Sequence, residues 1–295
     1  MKILCYGATG SQGNPVATEL LKDGHDLRVL TRSPDKAQHL AEAGAKVVQG
    51  DMANLESLRS ATAGREGVFL HIPFFTENPA DGLRYAENAV EAAKDAGVRL
   101  LVWNASGEIP EQRGANPAFD LRLDILDIVK GSGIPYVVLQ PTAYMENFLG
   151  PWTREELAQD NTFAYPTPEA VKMQWLATED VGKFAAYAFN HPDLAPLNVK
   201  ISGPERLSGS EVAARFSHAL ARDITFRAMP AKEFGEKLDA VFPGMGQGAA
   251  QGYALAYEHP EMFSTNVDID AALSTMPVEL TSLEQWARAR KEAFE

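Results

Sequence analysis

The residues with the clearest chemical potential lie at the start of the chain, where a glycine-rich turn follows a short apolar run. Ile3 to Tyr6 is followed by G-A-T-G-S-Q-G over positions 7–13. Glycines let a backbone turn sharply and approach a ligand closely, and N–H groups at the positive end of a following helix attract phosphate. In this position the pattern predicts a dinucleotide site.

A second signal lies at the end of the next apolar run, where the sequence is Leu30-Thr31-Arg32-Ser33. A domain that binds NAD places an acidic residue there, on the ribose 2′-hydroxyl. Thr31 is neutral, and the planar guanidinium of Arg32 can clamp a phosphate. The residues therefore favour NADP(H) over NAD as the cofactor. The alternative interpretation is that Arg32 is an ordinary solvated side chain.

The elements that must position these residues follow a regular pattern up to about residue 140. Short apolar runs alternate with segments of helical period, which predicts an α/β fold with a Rossmann-type, doubly wound parallel sheet. Strands are expected at 3–6, 26–31, 46–49, 68–72, 100–104 and 136–139. Helices are expected at about 12–23, 34–43, 55–63, 81–96 and 119–131.

The remainder of the chain predicts a smaller subdomain that covers the substrate. We expect a nucleotide-binding domain over 1–150, to which 175–203 returns, and a covering subdomain over 151–174 and 204–295. Pro- and aromatic-rich sequence over 151–168 indicates loops and small elements, and the glycines of 244–252 indicate a mobile loop near the active cleft. Helices are expected to begin at Thr178, and after capping boxes at Ser208 to Glu211 and Thr281 to Glu284.

The composition limits the partners. Forty acidic residues against 27 Lys and Arg give a net charge of −13, which argues against nucleic acid or an anionic membrane as a direct partner. The chain has neither a signal-peptide pattern nor a long apolar run, so we expect a cytoplasmic protein. The one cysteine, Cys5, is expected to be buried, and the six scattered histidines predict no metal site.

Further motifs carry a resemblance to a known family. They are Gly50-Asp51-Met52 after the third strand, V-F-L-H-I-P over 68–73, and P-T-A-Y-M-E-N-F over 141–148. Together with the glycine turn and Thr31-Arg32, they resemble the NmrA-like branch of the atypical short-chain dehydrogenases/reductases, over almost the whole chain. The resemblance implies a Rossmann fold and an NADP(H) cofactor.

The resemblance also implies roles for individual residues. Arg32 would bind the 2′-phosphate, and Asp51 and Met52 would border the adenine. The residues that would hold the pyrophosphate are Gly7, Thr9, Gly10, Ser11, Gln12 and Gly13; those beside the nicotinamide ribose would be Ile72, Pro73 and Phe74. Alternatively, Asp51 caps the next helix, and Ile72 to Phe74 belong to the core and a turn.

The catalytic residues depart from the usual reductase set, which is a Ser and a Tyr-x-x-x-Lys pair. Ser106 stands in the serine place, but Ala118 replaces the Tyr and Arg122 the Lys. Arg122 either takes part in the cofactor cleft or forms a surface ion pair. Tyr144, Ser106 and His71 are the candidates to assist catalysis, with Asn147 as a further one. His71 could instead be a core histidine and Tyr144 a packing residue.

These features predict an NADPH-dependent oxidoreductase that transfers hydride to a quinone or a similar planar electrophile, a small-molecule acceptor that needs little acid catalysis. The alternative is an NADP(H)-binding redox sensor that acts through a regulatory protein partner. A sugar-nucleotide epimerase is a third interpretation, which would need the missing Tyr and Lys. Whether the chain forms a homodimer stays open.

Overall fold

A computed structural model describes residues 1–73, 80–114 and 117–295, with the side chains of 117–119 left aside. The chain divides into two compact units. The first unit comprises 1–141, 178–201 and 270–279; the second comprises 142–177, 202–269 and 280–295. The expected boundaries were 150, 175 and 203, and the return of 270–279 to the first unit was not part of the prediction.

Strands and helices are numbered along the chain. The strands are β1 Lys2–Tyr6, β2 Asp26–Thr31, β3 Lys46–Gln49, β4 Gly67–His71, β5 Leu100–Asn104, β6 Tyr136–Pro141, β7 Ala143–Tyr144, β8 Thr162–Tyr165, β9 Met173–Leu176, β10 Leu197–Ile201, β11 Arg206–Leu207 and β12 Thr225–Ala228. The helices are α1 Gly13–Lys22, α2 Gln38–Glu42, α3 Leu55–Thr62, α4 Ala80–Asp95, α5 Pro117–Gly131, α6 Pro151–Gln159, α7 Thr178–Asn190, α8 Gly209–Leu220, α9 Ala231–Val241, α10 Gly246–Glu258, α11 Pro260–Phe263, α12 Ile269–Thr275 and α13 Leu283–Ala289.

The first unit is built on a seven-stranded parallel sheet in the order β10-β6-β5-β4-β1-β2-β3. The apolar runs that predicted the central strands are buried, and all five residues of β5 are inaccessible to solvent. The run that predicted β3, at the edge of the sheet, is only partly buried. Helices α3, α4 and α5 pack in series and share a core with the sheet, while α1 packs against α7. The α/β, doubly wound fold class predicted from the sequence is confirmed.

The strand order explains where a ligand binds in this unit. The chain moves outward from β1 through β2 to β3, then returns to β4 on the other side of β1 and continues through β5. Connections that leave β1 and β4 in opposite directions open a crevice at their carboxyl ends, the switch point at which open α/β sheets bind ligands. The glycine turn directly follows β1 and is therefore placed at this crevice.

The second unit differs in several details from the prediction. It holds a three-stranded sheet, β11-β9-β7, and a two-stranded parallel sheet, β12-β8. Its core is rich in aromatic side chains gathered around Phe148, whose ring lies 4.5–6.1 Å from five other aromatic rings. The segment 151–168, expected to hold loops and small elements, contains α6 and β8. Pro151 fits at the first turn of α6, where no backbone donor is needed.

Two further expectations for this unit were wrong. The glycine-rich 244–252 segment is mostly helix α10, because glycine allows α9 and α10 to approach: a Cβ on Gly246 would lie 2.1 Å from the Gly235 carbonyl oxygen. The last capping box is shifted by one residue, with Ser282 and Gln285 capping α13. The box at Ser208 and Glu211 is confirmed. In the described part of the chain, no helix is long and apolar enough to cross a membrane.

Candidate functional site

A cavity of about 650 Å³ lies in the first unit at the carboxyl ends of its strands. It brings together eight predicted site residues from different parts of the sequence: seven were expected to bind the cofactor, and His71 was a candidate to assist catalysis. Those eight are Gly7, Thr9, Gly10, Arg32, Asp51, Met52, His71 and Pro73. The lining is completed by Leu30, Thr31, Ser33, Lys36, Gly50, Asp81 and Tyr85.

The glycine turn has the geometry that its sequence predicts. Gly7 has a φ of +72°, a conformation that strongly favours glycine, and its carbonyl accepts the Gly10 N–H at 3.0 Å. Helix α1 begins at Gly13, so close to the turn that a Cβ there would lie 2.2 Å from the Gly7 oxygen. The first N–H groups of a helix lack intrahelical partners and favour an anion. The donors of this turn therefore fit a pyrophosphate.

The positive charge of the cavity comes from the end of β2. The Thr31 hydroxyl accepts the Ser33 N–H at 3.1 Å, which folds the chain into a tight turn with Arg32 at its centre. The Arg32 and Lys36 side chains are both exposed and both line the cavity. Arg32 and Lys36 line the cavity, whereas Asp35, which lies between them in sequence, does not. Two cations in the lining at the end of this strand fit a phosphate on the adenosine ribose.

Asp51 and Met52 lie at the cavity wall after β3. The Asp51 carboxylate accepts the Ala53 N–H at 2.9 Å, and the Met52 carbonyl accepts the Asn88 amide at 2.9 Å. The alternative that Asp51 caps the following helix is not realised, because Asn54 caps α3 by accepting the Ser57 N–H. Both cavity residues are thus held by bonds that leave their side chains at the wall.

Four polar side chains form a network where β4 and β5 end. The Ser106 hydroxyl donates to Gln12 Oε1 at 2.9 Å, and Asn104 Nδ2 donates to the same oxygen at 3.1 Å. His71 Nδ1 lies 3.3 Å from Ser106 Oγ. Ser106 and His71 were expected here, whereas Gln12 was expected at the pyrophosphate and not as their partner. Residues so far apart in sequence leave no local pattern that could reveal the contact.

The protonation of His71 follows from this network. Burial lowers its pKa from 6.5 to about 4, so the ring is neutral at pH 7. Because the single Ser106 hydroxyl proton is given to Gln12, the His71 proton belongs on Nδ1, from which it is donated to Ser106. The ring also packs over the glycine turn, since a Cβ on Gly7 would meet its Cδ2 at 2.7 Å. His71 thus holds Ser106 in place as a neutral donor.

Because His71 is neutral in the folded protein, the stability of the protein should depend on pH, and this dependence can be measured. Because the folded-state pKa lies below the ordinary 6.5, the contribution of neutral His71 is complete above about pH 6.5 and is lost as the pH falls towards 4. The loss in the free energy of unfolding is at most about 3 kcal/mol, because the difference between the two pKa values sets its upper limit. The exposed ring edge at the cavity makes the loss smaller than this limit. In urea unfolding between pH 7 and pH 4, His71→Gln should flatten this dependence, and His218→Gln, at an exposed position, should not. Equal slopes for His71→Gln and wild type would contradict the account.

Two side chains hold the loop that follows β5. Arg122 Nε donates to the Ala105 carbonyl at 2.9 Å and its Nη2 to the Ser106 carbonyl at 3.2 Å. The Gln140 side chain accepts the Ile109 N–H at 2.7 Å. Arg122 is only 9% exposed, so its side chain does not lie on the surface as one alternative predicted. It does not line the cavity, and the bonds named here stabilise Ser106 in its left-handed conformation, with a φ of 54°.

The remaining predicted residues have varied positions. Ile72 is fully buried in the core, as its alternative interpretation held, and Ser11 is exposed beside the glycine turn. Tyr144 belongs to the second unit, buried in β7 opposite Leu176 of β9. Phe74 lies outside the described residues. Within those residues, no group of three or more His, Cys, Asp or Glu side chains is arranged to hold a metal ion.

Known proteins resemble this chain in sequence and in fold. An NAD(P)H azoreductase of Xenophilus azovorans is 26% identical over 300 residues, which cover 99% of each chain. The structure of triphenylmethane reductase from Citrobacter sp. matches with a TM-score of 0.83 at 20% identity, over 99% of this chain and all of that one. The NADPH-dependent quinone oxidoreductase QOR2 of Escherichia coli, complexed with NADPH, matches with a TM-score of 0.78 at 20% identity, over 98% and 99%.

The family assignment rests on a separate comparison. The family model described as "NmrA-like family" matches residues 1–287, almost the whole chain. This match agrees with the resemblance carried by the glycine turn, by Thr31-Arg32 and by the P-T-A-Y-M-E-N-F segment. The chain belongs to the NmrA-like family.

Proposed function

We propose that this protein transfers a hydride from NADPH to a quinone or a similar planar, electrophilic small molecule. The chain is an NAD(P)H-dependent oxidoreductase, and its cofactor is NADP(H). The observation that carries the proposal is the first-unit cavity, in which the glycine turn lies at one strand end and Arg32 and Lys36 at the next. These are the donors that a pyrophosphate and a 2′-phosphate require.

The relatives support the class of reaction. One relative, which matches over 99% of each chain, is named an NAD(P)H azoreductase, and one of the structural neighbours is an NADPH-dependent quinone oxidoreductase. Reduction of such an acceptor places the incoming charge in a delocalised system. For this reason it needs less help from a protein acid than the reduction of an isolated carbonyl does.

The side chains at the usual catalytic positions are consistent with an acceptor that needs little acid catalysis. Bound NADPH would supply the hydride. The helix position that usually carries a tyrosine acid has Ala118, and the guanidinium of Arg122 stays protonated and bonded to loop carbonyls. Neutral His71 and Ser106 are linked to each other and to Gln12. We propose that this network shapes the wall beside the nicotinamide, and we keep Tyr144 as a candidate to assist catalysis.

Steady-state kinetics with purified protein test the proposal. We expect NADPH oxidation that depends on an added quinone, with a higher kcat/KM for NADPH than for NADH. A panel of small benzoquinones and naphthoquinones, together with an azo dye, would define the acceptor class. Tight NADPH binding without turnover of any acceptor would contradict the proposal. That result would favour the redox sensor, whose association with a protein partner would then have to respond to NADP⁺ and NADPH.

A further inference from the structure

The polar network at the ends of β4 and β5 has its hydrogen-bond directions fixed by one backbone group. The Ser106 N–H can only donate, and it donates to Asn104 Oδ1 at 2.9 Å. The other end of that amide, Asn104 Nδ2, therefore donates to Gln12 Oε1 at 3.1 Å. Turning either amide round would set two donors against each other. The orientation of the Gln12 side chain thus follows from the main chain.

The same reasoning continues to the histidine at the end of the network. Gln12 Oε1 has no proton, so the Ser106 hydroxyl, 2.9 Å away, donates to it. The lone pairs of that hydroxyl then face His71 Nδ1 at 3.3 Å, which places the one ring proton of neutral His71 on Nδ1. His71 Nε2 is left with a lone pair that carries no proton. At neutral pH this atom accepts hydrogen bonds and cannot act as an acid.

The Nε2 edge of the ring lies at the cofactor cavity. His71 lines the cavity, whereas its partners Ser106 and Gln12 do not. The Cδ2 atom, to which Nε2 is bonded, packs over the glycine turn, since a Cβ on Gly7 would lie 2.7 Å from it. Among the described residues, none forms a hydrogen bond with Nε2. The ring therefore presents an acceptor to the cavity, next to the turn that fits the pyrophosphate.

The covalent order of NADPH indicates which of its groups meets this acceptor. Arg32 and Lys36, at the end of β2, fit the 2′-phosphate of the adenosine, and the glycine turn after β1 fits the pyrophosphate. Strand β4 lies on the other side of β1. A cofactor that crosses these strand ends in turn reaches the end of β4 with the ribose that follows the pyrophosphate. That ribose carries the nicotinamide and has two hydroxyl groups, each of which can donate.

We propose that His71 Nε2 accepts a hydrogen bond from a hydroxyl group of the nicotinamide ribose and so fixes the nicotinamide half of NADPH at the end of β4. The inference deepens the proposed function, on whose cofactor site it rests, by assigning a residue that orients the hydride donor. The bonds from Ser106 through Gln12 to Asn104 keep the ring proton on Nδ1 and leave the acceptor at the cavity.

Two amide substitutions test the acceptor. In His71→Gln the amide oxygen can reach the place of Nε2, whereas the shorter amide of His71→Asn reaches only the place of Nδ1, where it can still bond Ser106. In isothermal titration calorimetry, His71→Asn should raise the Kd for NADPH and for 2′-phospho-ADP-ribose about fivefold. His71→Gln should stay within about twofold of wild type. The Kd for 2′-phospho-ADP, which has the pyrophosphate but no second ribose, should be unchanged in both variants.

The control and the contrary outcomes are specific. His218→Asn, at an exposed position of α8, should bind all three ligands as wild type does. Equal Kd values for NADPH in His71→Asn and His71→Gln would overturn the inference, and so would equal weakening of NADPH and 2′-phospho-ADP by His71→Asn. These measurements use no acceptor. A protein that binds NADPH in the expected way but reduces nothing would therefore contradict the proposed function alone.

NMR of wild-type protein with nitrogen-labelled histidine tests the same claim without any substitution, so it does not depend on the folding of a variant. At pH 7 the His71 ring should carry its proton on Nδ1, and the Nε2 resonance should move when NADPH is added, because a bare ring nitrogen then accepts a hydrogen bond. A proton on Nε2 in the protein without NADPH, or an Nε2 resonance that NADPH leaves unchanged, would overturn the inference.

Discussion

A Gly13→Ala variant should bind NADPH about 10- to 100-fold more weakly than wild-type protein does. A Cβ at this position would lie 2.2 Å from the Gly7 carbonyl oxygen and 2.6 Å from its carbonyl carbon. Both are backbone atoms, so the clash is relieved only if the turn and the start of α1 move apart. Overpacking of this kind costs about 1–3 kcal/mol, and the N–H donors of the turn lose their common direction.

Fluorescence titration with NADPH measures this effect, and circular dichroism shows whether the variant is folded. The matched control is Gly131→Ala at the end of α5, where an added methyl group meets nothing within 4 Å. We expect the control to bind NADPH as wild type does. A folded Gly13→Ala protein whose Kd for NADPH is unchanged would show that the cofactor does not bind at this turn.

The second large effect is expected at Arg32, whose removal should change the choice between cofactors. In Arg32→Ala, the Kd for NADPH should rise about 30-fold, because a charge-assisted bond to a phosphate contributes about 1.5–3 kcal/mol. The Kd for NADH should stay within about twofold, since NADH has no 2′-phosphate for the guanidinium to contact. Lys36→Ala should weaken NADPH binding less, because an ammonium group does not form the bidentate contact of an arginine.

Titrations with both cofactors at low and high salt measure the specificity. The difference between wild type and Arg32→Ala should shrink in high salt, because Arg32 is exposed and its charge is screened. Arg99→Ala is the control: Arg99 pairs with Glu66 at 2.5 Å, at the opposite ends of the strands, and loses the same charge. Equal weakening of NADPH and NADH binding by Arg32→Ala would mean that Arg32 does not recognise the phosphate.

The first unit could be predicted closely because local and global signals agree there. The central strands β1, β4 and β5 are nearly continuous apolar runs, and each is followed by a segment of helical period. The cavity residues could be predicted for the same reason: parallel strands end at one edge, so residues that follow β1, β2, β3 and β4 meet there. Ile72 is the exception, since alternation along the chain directs its side chain into the core while its neighbours His71 and Pro73 line the cavity.

Long-range contacts limited the rest of the prediction. The bond between Ser106 and Gln12 joins residues 94 positions apart, and it depends on which way two loops turn. Arg122 was hard to interpret for a similar reason, because its partners are backbone carbonyls, which no sequence pattern marks. Helix α10 was missed because each glycine costs a helix up to about 1 kcal/mol. Close packing of Gly246 on Gly235 offsets that cost through contacts that the sequence does not show.

Single-turnover oxidation of NADPH tests the central claim most directly. Wild-type protein would be mixed with less than one equivalent of NADPH, menadione would be added, and the nicotinamide absorbance would be followed. We predict a fast loss of absorbance with wild type, which Gly13→Ala abolishes under the same conditions and Gly131→Ala leaves unchanged. Bound NADPH that wild type leaves reduced, or oxidation at the same rate in Gly13→Ala, would contradict the claim that the first-unit cavity holds NADPH for transfer to an acceptor.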